Sequence, residues 1–114
     1  MFAEVKRMMP VSGDAYDPDI VLLIKAAALD LTRTAEIILP GTIDISIDGT
    51  SGAVTDNSTI EDEYLIAAIA CWCTAMIGNP PNHDNMMKAY EAMKGNMRLS
   101  REYTDYGEAC AWRS

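Results

Sequence analysis

Apolar residues recur at helical spacing over four separate stretches of this chain, and one stretch of strict alternation interrupts them. From Phe2 to Met9, residues Phe2, Val5, Met8 and Met9 share one side while Glu4, Lys6 and Arg7 lie outside it, and Pro10 ends the helix. Asp17 followed by Pro18 reads as a helix N-cap with proline at the first helical position. The stripe of this second helix runs through Ile20, Leu23, Ile24, Ala27, Leu31 and Ala35, with Lys25, Asp30 and Arg33 on the wetter side. Pro40 and Gly41 stop it. Ile43, Ile45 and Ile47 then alternate with Asp44, Ser46 and Asp48, the period of a strand. Asp48-Gly49 opens a turn-rich stretch, and Ala53-Val54-Thr55 returns as a second strand, so a hairpin-like insertion is expected over about 41–58.

A third helix is expected over about 60–77, opened by a capping box of Ser58 and Glu61. Within it the fourteen residues Tyr64–Ile77 carry no charge. A membrane span needs roughly 20 apolar residues, so this run reads as a core helix. A helix apolar all round must be covered all round, and in so short a chain part of that cover is expected from another subunit. Gly78 and the two prolines of NPPNHD break the chain, and Asp84 is placed to cap a last helix over about 85–100, striped by Met86, Tyr90, Met93 and Met97. The fold class expected is mainly α: a compact helical bundle of three longer helices plus a short N-terminal helix, with the hairpin-like insertion between the second and third helices. Residues 1–100 form its single domain, and 101–114 form a tail carrying Tyr103, Tyr106 and Trp112.

Composition fits a single folded domain: 12.5 kDa, 49% hydrophobic and 23% charged residues. With three cysteines, an odd number, and no basic stretch ahead of an apolar N-terminal segment, a reducing, cytoplasmic setting is expected. The charge of −8 is unevenly placed, because residues 36–63 hold seven acids and no base while the flanking segments nearly balance. An acidic surface of this kind lacks the Lys and Arg that bind phosphate by counterion release, so ordinary nucleic-acid binding is not expected; the acids read as a solvated face that aids solubility, or as a surface that DNA could neighbour without sticking.

Catalytic and metal-binding constellations do not emerge. Cys71 and Cys73 are two apart on a helix and point about 200° away from each other, so they cannot chelate one ion and read as small buried hydrophobes. His83, the single histidine, sits beside Asp84 at a helix start. Gly49 and Gly52 lie in an acidic turn that repels phosphate. Glu61, Asp62 and Glu63 fan around a helix axis and suit the positive end of its dipole. No enzyme, cofactor or metal is expected.

The order of elements resembles that of the head-tail connector (adaptor) family of tailed bacteriophages, over about residues 2–106. The family's short first helix with an E-V-K core falls on Glu4, Val5 and Lys6. Its second-helix pattern falls on Asp17, Ile20, Leu23, Ile24, Ala26 and Ala27. Its alanine-rich apolar helix with a central aromatic and a following glycine falls on Ala67, Ala68, Ala70, Trp72 and Gly78, and its closing tyrosine on Tyr103. The resemblance implies a structural virion protein that forms a homo-oligomeric ring, about twelvefold, beneath the portal protein. It implies a tail-side neck or stopper protein as second partner, DNA passing without specific binding, no membrane, and a place at the head-tail junction after assembly in the host cytoplasm. Within that frame Asp44, Asp48 and Asp56 are the candidate channel or inter-subunit loop, and Tyr103, Tyr106 and Trp112 the candidate docking tail. Two other classes fit a small acidic helical chain: a phage DNA-mimic, and a small helical regulatory, antitoxin-like interaction protein.

Overall fold

The computed structural model describes residues 1–9, 11, 13, 15–77 and 83–99. Helix α1 (Phe2–Met8) leads to α2 (Asp17–Thr34), a two-stranded antiparallel hairpin of β1 (Ile45–Ile47) and β2 (Val54–Asp56) follows, and α3 (Glu63–Met76) and α4 (His83–Leu99) complete the bundle. The architecture is the mainly α one expected, with the hairpin between the second and third helices.

Helix α3 is the centre, packed against α1, α2 and α4. Leu65, Ala68, Ile69 and Cys73 are fully buried, and Ile66, Ala70, Thr74 and Ala75 nearly so. The alanines keep the axis narrow, which lets three helices close around one. The expectation that this helix turns a surplus apolar face outward is corrected: of its apolar residues only Tyr64 and Met76, at its ends, stand clearly exposed, at 39% and 38%. Around it α2 contributes Ile20, Val21, Ile24, Ala27 and Leu31, α1 contributes Val5, and α4 contributes Tyr90 and Met97.

Three helix starts differ from expectation in which residue stands at the cap. Asp62, not Ser58, caps α3, its Oδ1 accepting from the Tyr64 and Leu65 amides at 2.9 and 3.1 Å. Ser58 serves the hairpin instead, its Oγ accepting from the Asp44 amide at 2.9 Å. Asp17 is the first helical residue and not the cap of α2; its carboxylate accepts from Lys6 Nζ at 2.7 Å, tying α1 to α2. Asp84 lies within the first turn of α4, which begins at His83.

At the far end of α2 the chain turns through Glu36 at φ 55°, a left-handed conformation that costs an L-residue about 1 kcal/mol. The Ile37 amide then donates to the Leu31 carbonyl at 3.2 Å and the Ile37 side chain is buried. A β-branched residue at position 36 is expected to lower stability in urea denaturation, because its side chain is strained at a positive φ.

The hairpin register pairs Ile45 with Asp56, Ser46 with Thr55 and Ile47 with Val54. Ile45 points into the core and is buried, while Asp44, Ser46 and Asp48 are exposed. The pairing continues beyond the strands, with Asn57 donating to the Asp44 carbonyl and Thr59 to the Thr42 carbonyl. Gly41 permits that approach: a Cβ there would stand 2.8 Å from Thr59 Oγ1. Gly52, at φ 74°, closes the Asp48–Ala53 turn.

Candidate functional site

The three hairpin acids have three different environments. Asp44 is exposed, and its backbone alone is tied down. Asp48 organises its own turn: Oδ1 accepts from the Thr50 amide at 2.8 Å and the Ser51 amide at 3.3 Å, and these bonds hold its carboxyl below the usual carboxylate range. Asp56 is an internal anchor. Its Oδ2 accepts from the Met1 ammonium at 2.8 Å and the Phe2 amide at 2.7 Å, and its Oδ1 from the Ser58 amide at 3.0 Å. Partial burial disfavours its ionised form, but the Met1 ammonium and these amide donors outweigh it, so the carboxyl ionises well below the ordinary aspartate value. Asp56 therefore fastens α1 to β2. Since its carboxylate is engaged within the chain, the candidate surface reduces to Asp44 and Asp48, with Glu61 and Glu63 exposed at the start of α3.

A second polar group locks α2 to α4. Tyr90, fully buried, donates its hydroxyl to Asp30 Oδ2. Lys94 Nζ reaches the same oxygen at 3.1 Å and lies 5.4 Å from the Tyr90 ring centroid. Trp72 of α3 packs on Tyr90 with ring centroids 5.1 Å apart. Burial works against the Asp30 carboxylate, yet the Tyr90 and Lys94 contacts win and lower its pKa; burial first, then Asp30, drives Tyr90 upward. Asp30 is thus not on the wetter side of α2 but in its seam with α4.

Asp30 and Asp56 are both depressed, so the unfolded chain binds more protons than the native state as acid is added. Their stabilisation is complete above the unfolded aspartate value near 4 and is lost as pH falls toward the folded values. The Met1 ammonium is shifted the other way: burial lowers it, Asp56 and Glu4 raise it further, and the net value is raised above 8.0. Its contribution is complete below about pH 8 and is lost as pH rises through the folded value. The melting temperature is expected to be flat between about pH 5 and 7 and to fall on both sides; Asp30→Asn should flatten part of the acid fall, as calorimetry across pH would show.

Cys73 is buried with its thiol pushed up to about 12, and Cys71 is shifted up as well, by burial in both cases. Neither is an activated nucleophile. His83 donates from Nδ1 to the Ala75 carbonyl at 2.6 Å, a bond that fastens α4 to the end of α3. Among the described residues no group of three or more His, Cys, Asp or Glu side chains is placed to hold a metal ion, and no helix is long and apolar enough to cross a membrane. Tyr103, Tyr106 and Trp112 lie outside the described residues.

The feature that residue-by-residue reading missed is the outer face of α2. Pro18, Leu22, Lys25, Leu29 and Arg33 are all exposed and recur at spacings of four, three, four and four, a second stripe opposite the buried one. Leu22 is 67% and Leu29 51% exposed. Leu29 borders a shallow hollow with Lys25, Ala28, Thr32, Leu39 and Ile43, and Leu22 borders another with Tyr16, Asp19, Leu23, Met76 and Ile77. The signal was present in the run DIVLLIKAAALDL, where Leu22 and Leu29 fall off the Ile20–Ile24–Ala27–Leu31 stripe. The apolar surplus assigned to α3 thus lies on α2.

No family model matches the chain, and comparison with curated proteins and with solved structures finds no match.

Proposed function

We propose that this chain is a structural subunit of a tailed-phage virion, a head-tail connector that assembles into a ring under the portal and forms part of the DNA channel. The observation that carries the reading is the unpartnered stripe on α2: a chain whose core is already closed around α3 still exposes Leu22 and Leu29 along one helix face. Each of these leucines borders its own shallow hollow, and apolar positions repeated on one exposed helix face favour an association site. The acidic segment 36–63 supports the channel function, because a wall that holds no Lys or Arg lets DNA slide without capturing its phosphates. The order of helices, with Glu4, Val5 and Lys6 in the first and Ala67, Ala68 and Ala70 in the third, supports the family. Partners on this reading are further copies of the chain, the portal protein above, and a tail-side neck or stopper protein below.

The gene is expected to lie among genes for portal, capsid and tail proteins. Deleting it from such a phage is expected to leave DNA-filled heads and separate tails in the lysate, visible by electron microscopy. Complete virions from the deletion strain would overturn the proposal.

A further inference from the structure

We infer that the outer face of α2 receives the acidic side of the hairpin and the α3 start of a second copy of this chain, head to tail; this rests on the ring reading above and names the two surfaces that meet. The α2 stripe carries both bases of its helix, Lys25 and Arg33, and neither has an ion-pair partner among the described residues; the exposed acids Asp19 and Glu36 lie toward its two ends. The complementary chemistry lies elsewhere on the same molecule. Asp44, Glu61 and Glu63 are exposed carboxylates without ion pairs among the described residues, in a segment that holds no base at all.

Charge decides the mode of pairing. A two-fold contact of α2 on α2 places the same net-positive stripe on both sides, with its cations facing like charge; it buries the leucines at an electrostatic cost. Contact between the α2 stripe of one copy and the acidic side of the next sets Lys25 and Arg33 against Asp44, Glu61 and Glu63 while covering Leu22 and Leu29. Two different surfaces meeting in this way form a heterologous interface, which propagates and closes into a ring when the rotation permits.

The test is charge reversal and its rescue, read by sedimentation velocity at low salt with circular dichroism to verify folding. Lys25→Glu with Arg33→Glu should weaken self-association at least about tenfold, as should Asp44→Lys with Glu61→Lys. Mixing the two variants should restore assembly, with the two alternating in equal number, because each retains one native surface and the two reversed surfaces complement each other. Wild-type rings that survive both reversals would overturn this pairing and leave the connector reading standing. A wild-type chain that stays monomeric, or stops at a two-fold dimer, would also overturn the pairing. The deletion phenotype separately decides the connector reading.

Discussion

Replacing Tyr90 by alanine is expected to cost about 3–5 kcal/mol, the range for deleting a fully buried aromatic, and to leave the protein partly unfolded at 37 °C. Three interactions end together. The ring is buried between Trp72 and the Lys94 side chain, and its hydroxyl satisfies Asp30 in the seam between α2 and α4. Asp30 would keep Lys94 and Thr34 but lose the Tyr90 hydroxyl as a donor. Tyr90→Phe separates packing from hydrogen bonding: the ring stays, and the loss should be about 1–2 kcal/mol, as for a hydrogen bond to a charged group. Urea denaturation of the three proteins checks both values. Equal losses for the two variants would mean that the hydroxyl, not the ring, holds α4 in place.

Ile69→Ala in the middle of α3 is expected to cost about 2–5 kcal/mol, with Leu65→Ala similar, since both side chains are fully buried where α3 meets its neighbours. Tyr64→Ser and Met76→Ser, at the exposed ends of the same helix, should each change stability by less than about 1 kcal/mol. The contrast separates a helix that is core from one that is interface. If charged substitutions at Ile69 left the monomer folded, α3 would have an uncovered face after all. Leu29→Ser on α2 should resemble the helix ends in stability, and differ from them in weakening association.

The fold was legible because its strongest signals are periodic. The Met86–Tyr90–Met93–Met97 stripe, the alternation from Ile43 to Ile47 and the uninterrupted apolar run of α3 each identify their element type without knowledge of the partners. Helix starts were less legible. Ser58 and Asp62 are both good cap residues for α3, and Ser58 is taken by the Asp44 amide; Asp17 is a good cap residue for α2, but its carboxylate is taken by Lys6. The candidate surface was legible only in part. The acidic density of 36–63 is visible in one dimension, but Asp56 looks like its neighbours until the chain end is seen folded onto it.

The mistaken placement of the apolar surplus has the same origin. Composition makes α3 the most hydrophobic element, yet alanine is small enough that three neighbours cover it. Helix α2 mixes charges into its run and looks half-wet, while its leucines at 22 and 29 remain in solvent. What matters for association is apolar area left over after packing, and that depends on the number of neighbours each helix acquires.

Antibody against the purified chain, coupled to gold and applied to virions and to tailless heads, tests the central claim most directly. Gold confined to the head-tail junction, with about one ring of copies in each virion by quantitative mass spectrometry, is the expected result. Label absent from the particles, or spread along the tail or over the capsid surface, would contradict it.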